Sequence, residues 1–222
     1  MKTILKFLCV MFIFTGIISA CSVKEKDDEL ITKSNNDEIF YYYGYEDIKI
    51  YLEQVMDKIF LKFTSDIYRE QISLLIEEFS SLQLIDDALC DVGLIHFAAL
   101  ESKNGKPIPQ ETIESLKIKD EIISATYLYL YDGKFLQGIM DEFVVKCKAT
   151  TSYAQLNILA EQNKCTIGSE NTFVKNQFTL YVPKNSNLNA MQMANLFYET
   201  RLFEFAEPNF AILNAANQLQ TY

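Results

Sequence analysis

The chain carries a single histidine, His96, inside Leu94-Ile95-His96-Phe97-Ala98, an apolar stretch that reads as a strand. Acid–base or nucleophilic catalysis needs a base held beside a nucleophile and an orienting group. A strand histidine among apolar neighbours reads instead as a packed or edge residue. Cys90, Cys147 and Cys165 are widely scattered, and with one histidine they give no zinc-ligand spacing. Their odd number argues against a disulfide framework. Cys147 and Cys165 pair only if their strands adjoin; buried free thiols are the other reading. Glu77-Glu78 and Asp86-Asp87 read as solvated surface, and no glycine-rich phosphate loop is present. These residues point to a non-enzyme without metal or cofactor.

Cys21 is a different case. Lys2 and Lys6 precede an apolar stretch, residues 7–18, that is short for a membrane span. It ends Ile18-Ser19-Ala20-Cys21, which resembles a bacterial lipobox. The resemblance implies a signal peptide over residues 1–20, cleavage before Cys21, and acylation of its thiol and new amine. Cys9 would leave with the signal. An ordinary secretory signal or an N-terminal anchor helix is the alternative. Residues 21–39 are polar and charged, a disordered tether with little to bury. The acidic run soon after Cys21 also resembles surface-export signals of some lipoproteins. The expected location is the cell envelope, lipid-anchored in the outer membrane, with surface exposure as a further reading.

Composition supports a packed body. Hydrophobic residues make up 49%, with 16 Phe and 13 Tyr, so about 200 mature residues can fill a core or two. With 7 Gly and 4 Pro, long irregular loops are not expected. The net charge of −10 excludes nucleic acid, and makes an anionic membrane surface a poor partner for the body.

A repeat organises this body. Residues 56–63, from Met56-Asp57-Lys58 to Lys62-Phe63, align without a gap on residues 140–147, from Met140-Asp141-Glu142 to Lys146-Cys147. Gln71-Ile72 falls on Gln155-Leu156, Leu74-Leu75 on Ile158-Leu159, and Glu77 on Glu161. Such self-similarity decides the fold class. The second half reads as strand 142–148, helix 152–162 with Ser152 as N-cap, strands 165–173 and 177–182, helix 190–202 and strand 203–206. The first reads as strand 58–63, helix 67–79, strands 82–85 and 92–100, helix 110–119 and strand 122–130, preceded by a ribbon over 40–52. Tyr131-Asp132-Gly133-Lys134 is a tight turn between the halves. The expected class is α+β: two tandem ferredoxin-like β-α-β-β-α-β units with antiparallel sheets. The first covers residues 40–134 and the second 135–222.

Residues 189–210 are an amphipathic helix leading into a strand that closes Ala206-Glu207-Pro208-Asn209-Phe210. With the tyrosine-rich opening Tyr41-Tyr42-Tyr43-Gly44-Tyr45-Glu46, this resembles the propeptide of subtilisin-like serine proteases of some anaerobic bacteria. The match is densest over residues 189–210, extends over 143–210, and is poor in the middle of the chain. Its motif residues here are Glu207, Pro208, Asn209 and Phe210. The resemblance implies a ferredoxin-like second unit that packs its sheet on a protease, runs its C-terminal tail through the substrate cleft, and acts as inhibitor or folding helper. No Gly-Thr-Ser-Met-Ala-like nucleophile segment is present.

The tail is therefore the candidate protease-binding element. Subtilisin-like clefts bind extended peptides by strand addition. Tyr222 would fill the first pocket and Leu219 an outer apolar one, with Gln220 and Thr221 between them. The alternative is a small helix on the body, since Ile212, Ala215, Ala216 and Leu219 stand at helical spacing. The expected function is a lipid-anchored protein that binds a subtilisin-like serine protease in trans. Two other readings stand: a surface lipoprotein that binds or assembles without a protease target, and a truncated pro-region.

Overall fold

The computed structural model describes residues 40–92, 95–213 and 219–221. They belong to one compact unit, Glu38–Tyr222. Cys21, the signal segment, the tether and Tyr222 lie outside the described residues. The fold is α+β with an antiparallel sheet.

The first half contains β1 (Phe40–Tyr43), β2 (Lys49–Phe63), α1 (Arg69–Glu77), β3 (Leu82–Val92), β4 (Ile95–Ser102), α2 (Gln110–Lys117) and β5 (Ile122–Tyr131). The second contains β6 (Phe135–Cys147), α3 (Tyr153–Gln162), β7 (Thr166–Glu170), β8 (Gln177–Tyr181), α4 (Ala190–Glu199), β9 (Phe203–Leu213) and β10 (Leu219–Thr221). Strand order is β5-β2-β4-β3 in one half and β9-β6-β8-β7 in the other. Each half thus places its fourth core strand beside its first, and its second at the far edge. β5 and β6 join the halves through a hairpin. Its turn needs left-handed residues, and Asp132 (φ 51°) and Gly133 (φ 63°) supply them.

The repeat is visible in the backbone. The β2 ladder slips between Val55 and Ile59, and the β6 ladder between Ile139 and Phe143, at the same 84-residue offset. Helices starting at Arg69 and Tyr153 keep that offset, as do strands starting at Leu82 and Thr166. Gln110 and Ala190 are 80 apart, so the second half is shorter beyond its second strand. Local chemistry sets the helix starts. Ser152 Oγ accepts from Gln155 N at 3.3 Å, and Asn189 Oδ1 accepts from Gln192 N at 2.9 Å. In both, the glutamine side chain returns a bond to the cap backbone.

Three strands run further than residue patterning suggests. β2 is continuous from the ribbon through the slip, β3 runs through Asp86-Asp87 to Val92, and β9 runs through Pro208 to Leu213. In each case pairing with a partner strand resumes beyond an irregular register. Pro208 is tolerated because β10 covers only Ala211–Leu213, which leaves β9 an outer edge there. β7 is shorter than expected, since Asn171 Oδ1 ends it by accepting from Phe173 N and Val174 N at 2.8 and 3.0 Å.

Three cores result. Ile59, Leu61 and Phe63 face α1 and α2; Phe143, Val145 and Cys147 face α3 and α4. The third lies on the helix-free face and draws on both halves, with Phe60, Phe97, Leu128, Met140, Ala211 and Leu213. The sheet curls around it until β10 lies against β3 and β4. Phe60 stacks on Phe97 at 5.6 Å and covers Gly138 of β6, where an added Cβ would sit 2.2 Å from its ring. Gly138→Ala is therefore expected to cost about 1–3 kcal/mol or more by overpacking. Urea unfolding checks this, and adding Phe60→Leu should recover part of the loss; simple additivity would exclude the contact.

Candidate functional site

Alternation on β2 turns Lys62 onto the same helix-free face as Phe60. Its cross-strand neighbours are Phe97 on β4 and Ser124 on β5. A lysine here is only 4% exposed and needs a counter-charge. It finds one beyond β5: the ammonium bonds to Asp141 of β6 and lies 3.5 Å from Glu142 Oε2. Asn209 Nδ2 donates to Glu142 Oε1 at 2.8 Å. Nearby, burial and then Glu142 push the Tyr181 hydroxyl above its ordinary range. One cation thus holds two carboxylates, and a residue of the Glu-Pro-Asn motif closes the group.

This group sits where the sheet forks. β5 and β6 pair only over Leu128–Tyr131 and Phe135–Gly138. Beyond that, Thr126 Oγ1 reaches Ile139 O at 3.5 Å and the strands part, because β6 turns to pair with β8. The fork is a cleft of about 210 Å³. Its walls are the edge of β5, helix α2, and the segment from Val182 to the start of α4. Lys184 Nζ donates to Lys119 O at 2.5 Å across the mouth. The Ser124 hydroxyl in its wall has no hydrogen-bond partner.

The two stretches that carry the family resemblance meet in space. Tyr42 packs on Phe210 with ring centroids 5.3 Å apart, and Tyr43 stacks on Tyr198 of α4 at 4.7 Å. Asn195 Nδ2 donates to Tyr41 O at 2.7 Å, and Tyr43 OH donates to Glu199 at 2.9 Å. The turn after β1 carries Asp47 at φ 65°, fixed by Tyr198 OH at 2.6 Å and Arg201 at 2.7 Å. Those two bonds hold the Asp47 carboxyl below its ordinary range. Glu207 is half-buried beside this patch, and burial pushes its carboxyl up.

No match to this chain is found among protein families, curated proteins or solved structures. The site is therefore read from its own geometry. Among the described residues, no group of three or more His, Cys, Asp and Glu could hold a metal ion. Cys147 and Cys165 are free and buried, with burial raising both thiols, Cys165 to about 11.

The described part of the tail is a strand rather than a small helix on the body. Leu219, Gln220 and Thr221 pair antiparallel with Leu213, Ile212 and Ala211. The helical spacing of Ile212 and Leu219 is thus realised as two strands, because the unpaired edge of β9 offers ladder bonds that a short terminal helix could not match. Glu207, Pro208, Asn209 and Phe210 lie within β9, and Asn209 and Phe210 are engaged internally. Lys62, the centre of the charged group, was not singled out by sequence. Its signal was available: an alternating strand with a charge on a core face.

Two outcomes test this arrangement. Lys62→Met leaves two carboxylates without their cation, and urea unfolding should show a loss of about 3–5 kcal/mol. Glu207 has a folded-state pKa above its ordinary 4.5, so its protonated form favours the fold. That stabilisation is complete below the ordinary value and is lost as pH rises through the folded one. Glu207→Gln should therefore raise Tm at pH 7 and give no gain near pH 4; an equal gain at both would exclude burial as the cause.

Proposed function

We propose that this chain is a lipid-anchored, non-catalytic relative of subtilase propeptides that binds a subtilisin-like serine protease in trans, as inhibitor or folding helper. In this reading the body is two ferredoxin-like β-α-β-β-α-β units in tandem. The strand orders β5-β2-β4-β3 and β9-β6-β8-β7 support that topology. The single observation that carries the functional reading is the packing of Tyr41–Tyr43 onto α4 and Phe210. Two stretches that resemble propeptides separately form one continuous patch here, which supports a common origin.

The tail is the element proposed to enter the protease cleft. Leu219–Thr221 already has extended backbone, so entry needs no refolding. It requires release of a three-residue ladder from β9, at about 0.5–1.5 kcal/mol net per hydrogen bond. A subtilisin-like cleft offers equivalent strand pairing in return. Cys21 would carry the acyl chains that hold the body at the membrane surface, each buried CH₂ contributing about 0.8 kcal/mol.

An inhibition assay with the purified mature chain against subtilisin-like proteases of the same cell tests the reading. Binding at micromolar concentration or tighter is expected, weakened at least severalfold when residues 219–222 are removed. No binding at micromolar concentration overturns the proposal, and unchanged inhibition by the shortened chain removes the tail from it. Mass analysis of the N-terminal peptide should find acyl groups on Cys21; an unmodified thiol there rejects the anchor.

A further inference from the structure

The cleft at the fork is lined by hydrogen-bonding groups that the fold leaves unused. Both members of the α4 capping box line it. Asn189 Oδ1 accepts from Gln192 N, and Gln192 Oε1 accepts from Asn189 N at 3.0 Å. That exchange occupies the two amide oxygens and leaves both NH₂ groups as donors. Asn187, an exposed lining residue two positions earlier, has no side-chain hydrogen bond among the described residues. Acceptors stand on the sheet side. Gln54 Nε2 donates to Tyr129 OH at 3.3 Å, which leaves Gln54 Oε1 open. Asp141 takes the Lys62 ammonium on Oδ1, which leaves most of its acceptor sites open.

The charges within the lining are matched from outside it. Asp141 is held by Lys62, and Lys117 lies 3.1 Å from Glu114 Oε1. Lys184 sits at the mouth, on the Lys119 carbonyl. A cation gains little from a carboxylate already paired, and an anion would meet that carboxylate inside. The lining therefore suits an uncharged molecule that both donates and accepts. Such a molecule also needs C–H surface for Leu188 and for Phe40, which is set edge-on to Tyr129 at 5.2 Å. Hydroxyl groups around a sugar ring have this character, since each donates once and accepts twice. At about 210 Å³ the cleft is smaller than the roughly 300 Å³ at which pockets for drug-sized ligands begin, so it suits a single ring. Phe40, Leu188 and Gln192 also line a second hollow of about 330 Å³ along α4, where the next ring of a chain would lie. We infer that the cleft at the fork binds the terminal ring of a neutral saccharide, with Asn187, Asn189 and Gln192 donating and Gln54 and Asp141 accepting. This site is separate from the tail and does not rest on a protease target.

The test applies the full mature chain, labelled, to an array of immobilised oligosaccharides. The neutral set ends in hexoses, deoxyhexoses, pentoses and N-acetylhexosamines; the charged sets end in uronic acids and in free amino sugars. Retention on at least one neutral terminus is expected, and it should exceed retention on either charged set. In solution, the retained oligosaccharide should slow amide exchange within residues 184–192. Asn187→Ala removes one neutral hydrogen bond at an exposed position, so it should weaken binding about two- to tenfold with Tm unchanged. Gln54→Leu should weaken binding by a similar factor; if this variant does not fold, Asn187→Ala decides. Failure to retain any neutral terminus overturns the inference. So does equal or stronger retention of charged termini, binding without slowed exchange in residues 184–192, or affinity unchanged by Asn187→Ala.

Discussion

The fold depends on side chains from β2 that reach over β5 to grip β6. Phe60 lays its ring on Gly138, and Lys62 extends its ammonium to Asp141 and Glu142. β5 permits this because Ser124 and Thr126 are the residues beneath. The two contacts are chemically opposite and complementary. The first is a close apolar fit that demands the absence of a Cβ. The second is a buried charge that demands a partner, since removing either member leaves the other desolvated and unpaired. Together they help fix the angle between two half-sheets whose strands are joined by a four-residue ladder. The central core, the curl of the sheet and the cleft at the fork all follow from that angle.

The halves share a strand order but differ in their contacts. Both keep the same slip in their first core strand, so the bulge belongs to the repeated unit. In β2 the slip turns a long strand toward the ribbon. In β6 it brings Asp141 and Glu142 to the fork. Lys58 and Glu142 occupy equivalent places in the repeat but carry opposite charge. Lys58 pairs locally with Glu101 at 2.5 Å, whereas Glu142 receives a lysine from the other half. The change of sign at this position adds a second carboxylate to the Lys62–Asp141 contact between the halves.

Much of this was legible in the residues. Ser152, the Asp132-Gly133 turn and the helical stripe of α4 each encode a local conformation, and the structure follows them. The element order and the 84-residue repeat were also readable, because hydrophobic period and self-similarity survive in one sequence. Strand ends were not, since they depend on where a distant partner stops: β9 passes Pro208 only because its outer edge is open there. The fate of the tail was open for the same reason. Burial of Lys62 was illegible at a deeper level, because it follows from a fork angle that no local pattern records.

The closure of the sheet on itself sets an order of assembly. Phe60, Ile85 and Phe97 belong to the first half, yet the groups that cover them include Met140, Ala211 and Leu213 of the second. A chain made from its N-terminus therefore completes α1, α2 and their own core while a row of large apolar side chains still faces water. Independent folding of the first half is thereby discouraged, although it has its own helices and strand order. The lag spans more than eighty residues of synthesis after Tyr131. This half-made sheet would be the form of the protein that a holding factor meets during synthesis.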